Sequence, residues 1–320
     1  MVGDMIVAGE PGGLRDTPTM TTGPATGTEL LGAVRMVVDE VLVEYLGSRG
    51  GDIDGLDAHA SMLVDEIARL VRAGGKRIRP AFCISGYRAA SPGPWSASAM
   101  HPDEPIVRAA AALELLHTMA LIHDDLMDGA TQRRGVVASS TQLASEALDR
   151  GFPRDAVDFG RAAALLAGDL AAVLADGLLL SSGFDAAAIV RALAPYHQMR
   201  LEMAAGQLLD IAGLASEAPA AARAARLKGG SYTVEGPLMV GAALAGDRAD
   251  VRDALRAFGV PLGEAFQFRD DLLDGEEARG VTPATVNQLV HRARTALRGA
   301  PFDPETAAAL DELASWVAIT

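Results

Sequence analysis

ELLHTMALIHDDLMD, residues 114–128, joins an apolar helical run to three aspartates, Asp124, Asp125 and Asp128, within about one turn. On a helix Asp124 and Asp128 share a face, with their carboxylates about 6 Å apart, a spacing that brackets a hard divalent cation. Without a cation, mutual repulsion would destabilise that turn. A solvated acidic helix end would explain one such cluster. FQFRDDLLD, residues 266–274, repeats the pattern after a second apolar run, with Asp270, Asp271 and Asp274 in the same places. Two such clusters on facing helices would line a cavity with carboxylates, and Mg²⁺ held by one or two carboxylates expects its remaining ligands from water and phosphate. The pair therefore points to a diphosphate.

The basic residues match that reading. Gly74-Gly75-Lys76-Arg77-Ile78-Arg79-Pro80 surrounds three cations with glycine and proline, and Arg133-Arg134-Gly135 follows the first aspartate cluster closely. Arginine forks suit phosphate oxygens, so both segments read as anion sites in a chain whose net charge is −14. GGKRIRP lacks the GxxxxGK[ST] spacing and follows no strand, which excludes a nucleotide P-loop.

The rest of the chain bounds the fold. Its 320 residues are 49% hydrophobic and 22% charged, enough to bury a sizeable core. The excess of 42 Asp plus Glu over 28 Lys plus Arg argues against nucleic-acid binding. One cysteine, Cys83, allows no internal disulfide, and the first ten residues lack the basic stretch of a secretory signal, so a cytoplasmic location is expected. The longest apolar stretches, 105–122 and 162–180, are interrupted by charges, so no transmembrane segment is expected. Residues 1–27 are rich in Gly, Pro and Thr and read as a disordered leader before a single domain, 28–320. Apolar residues then recur at helical spacing over 29–46, 63–71, 105–128, 155–182, 186–214, 219–246 and 249–274, with breaks at Pro92, Pro94, Pro153, Gly183 and Gly246. Strand alternation is not evident, and the expectation is an all-α fold packed around one core.

Six blocks in order, GGKRIRP, ELLHTMALIHDDLMD, RRG (133–135), GD (168–169), GQLLD (206–210) and FQFRDDLLD, resemble the trans-isoprenyl diphosphate synthase (polyprenyl synthetase) family over about 60–274. The resemblance implies the isoprenoid synthase helical bundle around a central cavity, a homodimer, and condensation of isopentenyl diphosphate with an allylic diphosphate. It implies isopentenyl diphosphate contacts from Lys76, Arg79, His117 and Arg134, and an allylic side formed by Arg133, Gln207, Asp210, Lys228 and Gln267. It also implies that Asp124, Asp128 and Asp270 ligate Mg²⁺, three ions bound with diphosphate, with Asp125, Asp271 and Asp274 as partners. Mg²⁺ and basic side chains would neutralise the departing diphosphate, the allylic carbocation would be attacked by the double bond of isopentenyl diphosphate, and a proton would then be lost. In this family bulk just before the first cluster limits product length. Met119 and Ala120, with Leu116 deeper, favour a C20 product, geranylgeranyl diphosphate.

The chain also departs from the family. No lysine follows Lys228, the region after Asp274 reads as shortened, and Gly229 stands where a hydroxyl residue usually follows the lysine. A catalytically weak regulatory subunit of a heteromeric synthase is therefore the second reading. A class I terpene cyclase is the third, disfavoured because a cyclase uses an Asn/Ser/Glu triad in place of DDLLD and needs no isopentenyl diphosphate site.

Overall fold

A computed structural model describes residues 27–91, 99–133, 135–214, 218–246, 248–274 and 281–319. Helix follows helix: α1 (Gly27–Asp54), α2 (Ser61–Arg72), α3 (Ile78–Ala90), α4 (Pro105–Met127), α5 (Ser139–Asp149), α6 (Ala156–Leu180), α7 (Ala186–Ile211), α8 (Ala218–Ala225), a π-helix (Arg226–Glu235), α9 (Gly236–Ala245), α10 (Ala249–Asp274), α11 (Pro283–Ala296) and α12 (Pro304–Val317). Among the described residues the only strands are β1 (Gln132–Arg133) and β2 (Val136–Val137), an antiparallel pair with Arg133 opposite Val136. The all-α expectation holds. The leader expectation falls on residues outside the described span, apart from Gly27, which already belongs to α1.

Local sequence explains the boundaries. Asp155, Asp185 and Asp303 cap α6, α7 and α12 by accepting backbone N–H bonds from the first turn, and Thr282 with Thr285 forms a capping box on α11. Gly183 at φ +103° and Gly246 at φ +132° end helices where the sequence breaks place them. The apolar spacing of α1 buries Leu30, Val34, Val38, Val41 and Leu42, and the helix runs on past Leu46 to Asp54.

One expected helix is three elements. The span 219–246 divides into α8, the π-helix and α9. Gly229 and Gly230 weaken α-helical preference there, and Gly230 lies so close to Gly263 on α10 that a Cβ would stand 2.9 Å from the Gly263 carbonyl carbon.

The core centres on α4, where Ala109 to Leu116 are buried on every side, as befits a helix enclosed by its neighbours. It packs against α6, α3 and α1. Helices α3 and α9 cross almost backbone to backbone. A Cβ at Gly86 would lie 2.1 Å from the Leu238 carbonyl oxygen, and one at Gly241 1.9 Å from that of Cys83. Helices α4 and α6 are long and apolar enough to cross a membrane by length and composition. Two-thirds of the most apolar window of α4 is buried, whereas α6 leaves Val157, Leu165, Leu166, Val173 and Leu180 exposed.

Candidate active site

The first aspartate cluster lies at the C-terminal end of α4, with Asp128 as the residue that follows the helix. Gly129, at φ +63°, turns the chain into the β1–β2 hairpin, which carries Arg133 back over the cluster. Arg133 Nε donates to Asp125 Oδ1 at 2.5 Å, its Nη2 donates to Asp124, and Asp128 lies 3.9 Å away. Three carboxylates thus surround one guanidinium.

Two further elements converge on Asp124. Gln207 Nε2, on α7, donates to Asp124 Oδ1 at 2.9 Å. Lys228 Nζ, on the π-helix, donates to Asp210 Oδ2 at 2.5 Å and stands 3.7 Å from Asp124. Gly206 permits this approach, since a Cβ there would meet the Lys228 amide nitrogen at 2.3 Å. The glycines of GQLLD and GD serve the same end: a Cβ at Gly168 would fall 2.1 Å from the His123 ring.

Carboxylates outnumber cations in the site, with Asp124, Asp125, Asp128 and Asp210 around Arg133 and Lys228. Burial lowers the Arg133 and Lys228 pKa values, but bonds to Asp125 and Asp124 for the arginine, and the bond to Asp210 with the nearby Asp124 charge for the lysine, outweigh it and raise both. Burial and then the neighbouring Asp124 charge push the Asp128 carboxyl above its usual range, against Lys228 and Arg133. Among the described residues no group of three His, Cys, Asp or Glu side chains forms a ready metal cage.

The second cluster lies on α10, which packs against the π-helix. Gln267 on α10 donates to Asp271 at 2.7 Å, and its Oε1 occupies the space that a Cβ on Gly229 would need, 1.6 Å away. The missing hydroxyl residue at 229 thus has a physical counterpart, the Gln267 side chain. Asp270 lies 3.9 Å from Arg269. The side chain of Asp274 and all of Arg134 lie outside the described residues.

GGKRIRP separates into different roles. Arg77, the middle cation, is not part of an anion site. It is 3% exposed, held at φ +52°, and donates to Asp39 and Glu114 at 2.7 Å each and to the Val71 carbonyl at 2.8 Å. Burial lowers its pKa, and Glu114 and Asp39 together more than restore it. Arg79 points elsewhere: its Nη2 donates to Thr233 Oγ1 at 2.8 Å and its guanidinium carbon lies 4.6 Å over the Tyr232 ring. The His117 ring stands 6.3 Å from that same ring. Among the described residues the Tyr232 hydroxyl and Arg79 Nε are buried with no hydrogen-bond partner. Lys76 Nζ lies 4.4 Å over the indole of Trp316.

Lys228 meets Asp210 and Asp124, whereas Thr233, five residues on along the π-helix, meets Arg79. Sequence reasoning missed Thr233, Tyr232, Arg269 and Trp316. Thr233 could have been found from Lys228 had the segment been read with a five-residue period.

Residues 61–283 match the family model for polyprenyl synthetase. Relatives include a geranylfarnesyl diphosphate synthase of Aeropyrum pernix, 26% identical and covering 74% of this chain and 66% of its own length. A (2E,6E)-farnesyl diphosphate synthase of Mycobacterium tuberculosis is 33% identical, covering 69% of this chain and 56% of its own. The chain thus spans between about half and two-thirds of the length of these curated relatives. A geranylgeranyl pyrophosphate synthase structure from Corynebacterium glutamicum, complexed with isoprenyl diphosphate and magnesium, superposes with TM-score 0.79 at 26% identity, covering 89% of this chain and 98% of that one. With a family model matched over most of its length and an architecture shared with solved members, this chain belongs to the polyprenyl synthetase family.

Proposed function

We propose that the protein is a Mg²⁺-dependent short-chain trans-prenyl diphosphate synthase that condenses isopentenyl diphosphate with an allylic diphosphate to give geranylgeranyl diphosphate, C20. The observation that carries this reading is Asp124, which accepts from Arg133 and Gln207 and lies 3.7 Å from the Lys228 ammonium, partners that come from three separate elements. Such a convergence concentrates carboxylates and cations where a metal-bound diphosphate would sit.

The donor chemistry fits the metal. All six candidate ligands are carboxylates, the hard oxygen donors that Mg²⁺ takes, and three already gather around one cation. Asp124, Asp128 and Asp270 would hold Mg²⁺, three ions with the diphosphate, beside Asp125, Asp271 and Asp274. When bound, the metal supplies positive charge for the departing diphosphate. Arg133 and Lys228 then turn from carboxylates to phosphate oxygens, and Gln207, Asp210 and Gln267 orient the allylic side. Lys76, Arg79, His117 and Arg134 bind isopentenyl diphosphate, for which the unpaired Tyr232 hydroxyl and Arg79 Nε are available donors. Buried Leu116 and Met119 exclude water and floor the chain cavity.

The exposed stripe on α6, in which Leu166, Val173 and Leu180 recur every seven residues, docks a second copy, giving a homodimer in the cytoplasm. Residues 28–320 act as one domain after the leader. Incubation with Mg²⁺, isopentenyl diphosphate and dimethylallyl, geranyl or farnesyl diphosphate, read by product mass, tests the reaction. A C20 product lost on chelation supports it, and a C15 or C25 product corrects the length alone. Folded protein that makes no product with any primer refutes the reading and favours the regulatory subunit.

A further inference from the structure

The β1–β2 hairpin that carries Arg133 has little apolar burial to hold it. Gln132 is exposed, Arg133, Val136 and Val137 are half-buried, and a two-stranded hairpin is at best marginally stable by itself. Among the described residues, hydrogen bonds tie its strands to the rest of the protein at two places. One is the bonding of Arg133 to Asp125 and Asp124. The other lies on the return strand, where the Val137 carbonyl accepts from Arg69 Nη2, on α2, at 2.8 Å. Val137 stands opposite Gln132, the residue before Arg133.

Arg69 is itself aimed. Its Nε and Nη2 donate at 2.7 Å to the two oxygens of Glu66, a buried carboxylate one turn earlier on α2. Nη2 carries two hydrogens, and with one committed to Glu66 the other is left for Val137. The two ties also differ in what substrate does to them. In the synthase reading, on which this inference rests, Arg133 leaves its aspartates for a diphosphate, so the first tie is given up during binding. The second involves no group that meets substrate, and it persists.

We propose that Arg69, oriented by Glu66, is a positioning residue that holds the hairpin through the Val137 carbonyl and so keeps Arg133 over the first aspartate cluster while it engages the allylic diphosphate. Hydrogen exchange read by mass spectrometry on the protein alone tests the tie. Arg69→Met speeds exchange over residues 131–138 about three- to tenfold, the factor one hydrogen bond is worth, and leaves residues 109–116 of α4 unchanged. Unchanged exchange in the hairpin overturns the proposal. Calorimetric titration with Mg²⁺ and inorganic pyrophosphate tests the route to Arg133. Arg69→Met weakens binding about three- to tenfold in the parent and less than about twofold in an Arg133→Met background, where the arginine to be positioned is gone. Equal weakening in both backgrounds marks a merely structural role and overturns the proposal, as does no weakening, or a parent that binds no pyrophosphate. Because Arg69→Met strands a buried carboxylate, the paired variant Glu66→Leu/Arg69→Met, which removes both charges, must show the same pattern. A parent that binds pyrophosphate but makes no product with any primer defeats the synthase reading and leaves the cycle to decide the brace; an active parent with additive losses defeats the brace alone.

Discussion

Arg77→Met removes the three bonds that the buried guanidinium makes to Asp39, Glu114 and the Val71 carbonyl, while keeping an unbranched side chain. The two carboxylates are affected unequally. The Asp39 side chain is 34% exposed and lies 3.5 Å from Arg35, so it retains water and a cation. The Glu114 side chain is 7% exposed and pairs with Arg77 at 2.7 Å. The cost therefore falls on Glu114. Breaking a buried pair from one side costs about 3–5 kcal/mol, and the left-handed backbone at residue 77 is common to both forms, so its strain cancels. We expect urea unfolding to show a loss of about 3–4 kcal/mol with an unchanged m value. Adding Glu114→Leu removes the stranded carboxylate and should recover about 2 kcal/mol. A loss below about 1 kcal/mol in the single variant, or a double variant no more stable than the single, would refute this account of the motif's central arginine.

Two further substitutions probe the site. Gly229→Thr restores a hydroxyl but places a Cβ within 1.6 Å of Gln267 Oε1, so Gln267 must leave Asp271; thermal unfolding should report a loss of about 1–3 kcal/mol, and turnover should fall with it. Unchanged stability would mean that Gln267 has another resting place. Met119→Phe should shorten the product and Met119→Ala lengthen it, read by mass spectrometry. Identical products from both would place the floor on another helix.

Helical spacing made most of the fold legible, because a face of Leu and Val at three- and four-residue steps has few other uses; α1, α4, α6, α7 and α10 follow it closely. The π-helix was not legible, since Gly229 and Gly230 signal a break as readily as a wider turn. Repetition of DDxxD marked both clusters, and Asp124, Gln207, Asp210 and Lys228 do come together. Arg77 was misread because composition cannot say which of three neighbouring cations turns inward. That choice depends on Asp39 and Glu114, which are remote in sequence. Trp316 was silent for a similar reason: a lone aromatic near the end of a chain gains meaning only when α12 sets it against α10 and the loop before α3.

The π-helix makes the site sensitive to phase as well as to identity. A substitution between Arg226 and Glu235 alters one contact, but removing a single residue would let the segment relax to α-helical pitch and change which of its residues share a face. Lys228 would keep Asp210 while Thr233 swung away from Arg79, or the reverse, so the two substrate sides could not both be served. Random mutagenesis should therefore find this stretch permissive to several replacements and closed to deletions.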